Sequence, residues 1–337
     1  MFASKDIGID LGTANTLVYL QGKGVITREP SVVSVNKRTG KILAVGGEAK
    51  DMLGKTPGSI EAYKPLRDGV IADFEITAEM LKHFIRKARK GRKSKVVVCV
   101  PYGVTDVERR AVNDAIEQTG IRSSWLIEEP VAAAIGAGLP VSSPTGCMVV
   151  DIGGGTSEVA VISLNGIVTS TSVRVAGNKF DEAIVAYVRR KHNTLIGEAS
   201  AETLKKEIGA VHPAMENKTM EVRGRNLLTG LPQTLEIDSV QVIEALEDCV
   251  FEIVESIKHT LEETPPELSS DIYERGITLT GGGAYLRGLD LLLSEQTGVP
   301  VTIADRALDC VIMGIGAVLE NPEEYGSVLT NYRKQIY

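Results

Sequence analysis

Residues 6–20 read DIGIDLGTANTLVYL, and residues 148–166 read MVVDIGGGTSEVAVISLNG. Each begins as an apolar strand, carries one aspartate (Asp10, Asp151), passes through glycine and small polar residues, and returns to an apolar strand. Aligning Asp10 with Asp151 sets Ile9, Leu11, Gly12 and Thr13 over Val150, Ile152, Gly153 and Gly154. The pattern predicts a β-hairpin with a glycine turn, made twice. An unpaired carboxylate is costly to bury, so a strand that carries one needs a compensating partner.

A tight glycine turn exposes backbone N–H groups with no side chain in the way, which suits phosphate oxygens. One such loop is weak evidence, since an aspartate beside it also caps turns. Two loops from homologous hairpins, facing each other across a cleft, would hold a nucleotide's phosphate tail from both sides. Asp10 and Asp151 would then converge on one point and repel the phosphates unless a divalent cation lay between them. Magnesium, held largely through waters, meets that need. A third cluster, ITLTGGGAYLRGL at 277–289, follows a strand and is expected to open a helix.

Composition narrows the class. With 337 residues and 43% hydrophobic content the chain buries a sizeable core, more naturally in two domains than one. A net charge of −7 argues against a general nucleic-acid binder. Cys99, Cys147, Cys249 and Cys310 lie far apart in apolar segments and read as reduced core residues. The histidines show no zinc pattern. The start, MFASKDIGID, lacks a signal peptide, and no apolar run approaches the roughly 18 residues of a membrane span. A soluble cytosolic chain is expected.

Strands and helices alternate in both halves, which predicts two α/β domains. VVVCVP (96–101) and SWLIEEP (124–130) read as strands. TDVERRAVNDAIEQTG (105–120) reads as a helix with Thr105 as N-cap and Glu108 three residues on. Helices are also expected over 179–197 and from Ser239 to Glu263, the latter from a stripe of Val240, Ile243, Leu246, Val250, Ile253, Ile257 and Leu261. The expected division is a first domain of 1–142 plus 315–337, with a small inserted subdomain at 32–63. The second is 143–314, with an insert at 181–245.

These motifs resemble those of the actin-like ATPase superfamily, in which DLGTAN (10–15), DIGGGT (151–156) and TGGGA (280–284) are the two phosphate motifs and the adenosine motif. GVIADF (69–74), ERRA (108–111), IEEPVAAAIGAGLP (127–140), LIGE (195–198), EVRGRNL (221–227) and TPPELSSDI (264–272) narrow the resemblance to the MreB-type bacterial cell-shape actins. It covers nearly the whole chain. The implied fold is two ribonuclease-H-like domains around a nucleotide cleft, each with a smaller insert.

The resemblance also implies roles. Gly12, Thr13, Ala14 and Asn15 would bind phosphates from the first loop, and Gly153, Gly154, Gly155 and Thr156 from the second. Asp10 and Asp151 would hold Mg, and Glu129, at the end of its strand, would orient or deprotonate the attacking water with Thr156 as a second contact. Glu128 should point the other way, because strand side chains alternate. Gly281, Gly282, Gly283 and Ala284 would take the adenosine, with Glu202 and Lys205 reaching base and ribose. Ser157 and Asn178 depart from the family's more usual Thr and Asp.

A sugar kinase or a chaperone ATPase are the rivals on the same fold. The first would need polar residues for an acceptor, where the segment after Glu129 is small and apolar; the second would need a further domain. The expected activity is therefore a weak ATPase coupled to polymerisation into paired, antiparallel protofilaments. These would lie on the inner face of the cytoplasmic membrane and guide cell-wall synthesis with the elongation machinery. RKARKGRKSK at 86–95, with seven Lys or Arg, and Met1 with Phe2 are the candidate lipid contacts.

Overall fold

The computed structural model describes residues 5–88, 94–121 and 123–330. The first cassette folds as β1 (Ile7–Leu11) and β2 (Asn15–Leu20), paired antiparallel with Asp10 opposite Leu17. β3 (Gly24–Pro30) continues that ladder. Next, β4 (Val33–Asn36), β5 (Ile42–Val45) and β6 (Ile60–Tyr63) form a small sheet, with α1 (Gly47–Lys50) after β5. β7 (Leu66–Arg67) and β8 (Val70–Ile71) make a short ladder of their own. After α2 (Phe74–Ala88), β9 (Val96–Val100) returns parallel to β1. After α3 (Asp106–Glu117), β10 (Ser124–Glu128) lies parallel to β9. The first large sheet thus runs β10-β9-β1-β2-β3. The residue types give the reason: every side chain of VVVCV in β9 is buried, as a central parallel strand covered on both faces requires.

α4 (Glu129–Gly136) leads into the second cassette, β11 (Cys147–Ile152) and β12 (Ser157–Ser163). Asp151 faces Glu158 as Asp10 faces Leu17, so the two hairpins share one register. β13 (Gly166–Val173) extends them, and α5 (Gly177–His192) follows. β14 (Thr194–Leu195), β15 (Thr219–Asn226) and β16 (Pro232–Asp238) form a second small sheet, with α6 (Glu198–Ile208) between the first two. α7 (Ser239–Glu262) and α8 (Pro266–Arg275) lead to β17 (Ile277–Thr280), parallel to β11. α9 (Leu289–Thr297) and β18 (Val301–Ile303) complete the order β13-β12-β11-β17-β18. α10 (Cys310–Glu320) and α11 (Pro322–Tyr325) close the described chain.

Each large sheet has its own core, and a third core belongs to both. Leu17, Val97 and Ile127 of the first sheet and Val149, Ala160 and Ile162 of the second meet there around α4 and α10. The two helices are exchanged. α4 follows the first sheet and packs on β11 and β12, whereas α10 follows the second and packs on β1, β2 and β9. They cross at backbone contact: a Cβ on Gly136 would overlap the Cys310 carbonyl, and one on Gly314 the Ala132 carbonyl.

Several sequence expectations hold and some do not. Thr105 and Glu108 make the reciprocal capping box at the start of α3. The helix expected through 197 stops at His192, because Asn193 turns left-handed (φ 49°) and Thr194 and Leu195 pair with β15. In α7 the expected apolar stripe holds at Leu246, Val250, Ile253 and Ile257, all buried, and departs from expectation at its first residue. Val240 is 50% exposed, while Val242 and Val254 are buried. Cys249 is only half-buried, unlike the other three cysteines. The third glycine cluster opens a 3-10 turn at Gly282–Tyr285. α10 spans residue 315, near which the first domain is expected to resume. No helix among the described residues is long and apolar enough to cross a membrane.

Candidate functional site

The two glycine turns meet. A Cβ on Gly154 would lie 2.6 Å from the Ala14 Cβ, and one on Gly155 would lie 2.6 Å from Thr13 Oγ1. Only glycine allows two loops to approach this closely. Each loop is braced from behind. Ser31 donates to the Gly12 carbonyl at 2.6 Å, and its own N–H bonds Ala14 O at 3.0 Å. In the second loop Gly153 N bonds Thr156 O at 2.9 Å, while Gly177 and Asn178, opening α5, donate to the carbonyls of Gly153 and Gly154. The Gly69 N–H donates to Thr13 Oγ1 at 3.0 Å, and Gly69 also lies against the Thr156 side chain. Thr13 and Thr156 therefore sit buried where the two halves touch.

Beneath the loops lies a group of acids. Glu129 is the first residue of α4 rather than the end of a strand, because Pro130 fits the first turn of a helix and starts it one residue early. Glu129 is 9% exposed, whereas Glu128 points elsewhere and pairs with Arg109 at 3.4 Å. Asp10, Cys99 and Glu129 bring one ligand atom each within 4.8 Å of one another. Asp151 accepts from Thr280 Oγ1 at 2.6 Å. Burial pushes Asp10 up to about 7, with the charge of Asp151 adding to the rise, and pushes Asp151 up to about 6. Glu129 is held well above the usual carboxylate range by burial and then by the charges of Asp10 and Asp151.

No lysine or arginine acts on these carboxylates among the described residues. A buried set of oxygen donors with no basic partner fits a divalent cation such as magnesium, which Asp10 and Asp151 would hold. A pH prediction follows. The folded chain keeps protons on both aspartates up to about pH 6–7, where the unfolded chain has lost them, so their contribution to stability falls as pH rises through that window. The Tm gain on adding magnesium is expected to be larger at pH 8 than at pH 6, and to shrink in Asp10→Asn. An equal gain at both pH values would contradict the assignment.

The remaining expected residues lie around this centre. Gly281 and Gly283 pack on Ile152, directly after Asp151, and Ala284 is buried behind them. Lys205 is drawn inward, 2.8 Å from Asp181 and 2.7 Å from the Gly177 carbonyl. Glu202 pairs with Lys206 and reaches Lys50 at 3.1 Å, tying α6 to α1. Those partners hold Glu202 down to about 2 despite its partial burial. Asn178 accepts from Lys64 Nζ at 3.1 Å. Of the basic run at 86–95, residues 89–93 lie outside the described residues, as do Met1 and Phe2.

Sequence reasoning missed two groups. Glu158, opposite Asp151, is fully buried and accepts from the Tyr102 N–H at 3.1 Å. Its place in the second cassette was the available signal, two residues after the motif. Cys99 gave none, because nothing in VVVCV distinguishes it from a packing residue.

A family model described as MreB/Mbl protein matches residues 4–327. The chain belongs to the MreB/Mbl family. It is 54% identical over 334 residues to the cell shape-determining protein MreB of Escherichia coli K12, covering 97% of this chain and 96% of that one. It is 51% identical over 327 residues to Mbl of Bacillus subtilis 168, covering 96% and 98%. Among solved structures, MreB5 of Spiroplasma citri bound to ADP matches with a TM-score of 0.92 and 38% identity over 96% of this chain and 98% of that one. The same protein bound to AMPPNP matches equally well. The fold is thus the actin-like one of this family, and a MamK double helical filament shares it at a TM-score of 0.79 and 24% identity.

Proposed function

We propose that this MreB/Mbl-family chain binds and slowly hydrolyses ATP and polymerises into the filaments that set cell shape. The observation that carries the reading is the contact of two registered glycine turns directly above carboxylates that have no basic partner among the described residues. The names of the relatives as cell shape-determining proteins, and the nucleotides in the MreB5 structures, agree with it.

In this reading the chain is two domains closing on one nucleotide. Gly12, Thr13, Ala14 and Asn15 bind phosphates from one side and Gly153, Gly154, Gly155 and Thr156 from the other. The Gly281–Ala284 turn receives the adenosine, with Glu202 and Lys205 at its edge. Magnesium, held largely through water by Asp10 and Asp151, supplies positive charge to the phosphates when bound. Glu129 orients the attacking water and accepts its proton; burial has lifted its affinity for one. Thr156 is the second contact to that water. Loops that both grip the γ-phosphate favour the closed state, and its loss loosens them.

The filaments are proposed as paired and antiparallel, on the cytoplasmic face of the membrane, working with the wall-elongation machinery. Arg86–Lys95 and Met1–Phe2 are the proposed lipid contacts, strengthened by avidity along a filament. Pelleting and light scattering with ATP and magnesium, alongside phosphate release, test the reading. A monomer that consumes ATP only when a sugar is added would favour the phosphotransferase instead. Gly155→Val is expected to weaken ATP binding at least about tenfold, because the added methyls force the loops apart. Titration with a fluorescent ATP analogue checks this, and unchanged affinity would sink the two-loop clamp.

A further inference from the structure

Cys99 sits where the topology leaves a single strand between two acids. β9 is flanked by β1 and β10, both parallel to it. Val98 faces Ile9, so Cys99 lies beside Asp10; on the other side it faces Ile127, two residues before Glu129. Its Sγ is 3.3 Å from Asp10 Oδ1 and 3.6 Å from Glu129 Oε1. Among the described residues it is the single side-chain donor to either carboxylate. Burial beside two acids keeps the proton on the Cys99 sulfur.

We infer that Cys99 is a positioning residue for the reaction, its S–H being the donor that fixes the Glu129 carboxylate toward the attacking water. This rests on the ATPase reading above. A thiol has one proton and two acceptors within reach. The donation that bears on the reaction is the one to Glu129 Oε1, at 3.6 Å. A residue that served only packing would need the volume of Cys99 and not its hydrogen.

Steady-state phosphate release and ATP binding of Cys99→Ser, Cys99→Ala and Cys99→Val test this against wild type. Alanine and valine are expected to lower kcat about tenfold with KM for ATP within about twofold, and serine to stay within about threefold of wild type. Valine matching wild type while serine fails, or equal loss in all three, overturns the inference. The infrared S–H stretch, taken as wild type minus Cys99→Ser, gives a readout that needs no turnover. It is expected to move toward the free-thiol position in Asp10→Ala and in Glu129→Ala, and a band unmoved in both overturns the inference. Wild type that releases no phosphate refutes the ATPase reading, while the infrared band still decides whether the two acids hold the thiol.

Discussion

Glu129→Ala is expected to lower ATP turnover by about 100-fold or more while leaving nucleotide affinity within a few-fold. The carboxylate is buried beneath the phosphate loops, at the one place where Asp10 and Asp151 both act on it. Its raised proton affinity suits a group that must take a proton near neutral pH. None of the loop bracing bonds involves its side chain, so binding should survive. The change also removes a buried acid without a basic partner, and thermal stability is expected to hold or rise. Loss of turnover together with an unchanged or higher Tm would separate a chemical role from a structural one. Phosphate release, analogue titration and a melting curve are the three measurements, and hydrolysis at the wild-type rate would remove Glu129 from the mechanism.

The largest expected effect on stability lies away from the site. Gly136→Val and Gly314→Val should each cost more than about 3 kcal/mol, because the new side chain meets backbone rather than a movable side chain. At Gly136 the obstacle is the Cys310 carbonyl and at Gly314 it is that of Ala132, so α4 and α10 would have to separate along their whole crossing. The core around them contains side chains from both large sheets and would open with them. Gly58→Ala, with nothing within 4 Å of an added Cβ, serves as the near-neutral control. Denaturant midpoints decide the matter. A valine variant with the wild-type midpoint would mean that the helices tolerate a wider spacing.

The cassettes were legible because their chemistry is local: a glycine turn needs its own residues and nothing else, and the shared register of Asp10 and Asp151 follows from that. The capping box at Thr105 was legible for the same reason. What escaped depends on partners distant in sequence. Cys99 acquires its two acids only when β1 and β10 come to lie on either side of β9. Ser31 braces Gly12 only through the ladder of β2 with β3. The start of α4 at Glu129 did carry a signal, since proline favours the first helical turn, but a strand pattern running into it masked the boundary. The exchanged helices left only paired glycines, whose meaning needs the opposing backbone.

That exchange makes the chain indivisible in a way that two sheets side by side would not be. A fragment ending near Pro140 would contain α4 without the strands β11 and β12 that cover it, and its own sheet would lack α10. The complementary fragment would have the reverse defect. Each is expected to be insoluble alone, yet the pair carries every surface needed for mutual rescue when made together. Melting of the intact chain should accordingly be a single cooperative event, with the crossing of α4 and α10 serving as a fixed pivot about which the loops above can part and close.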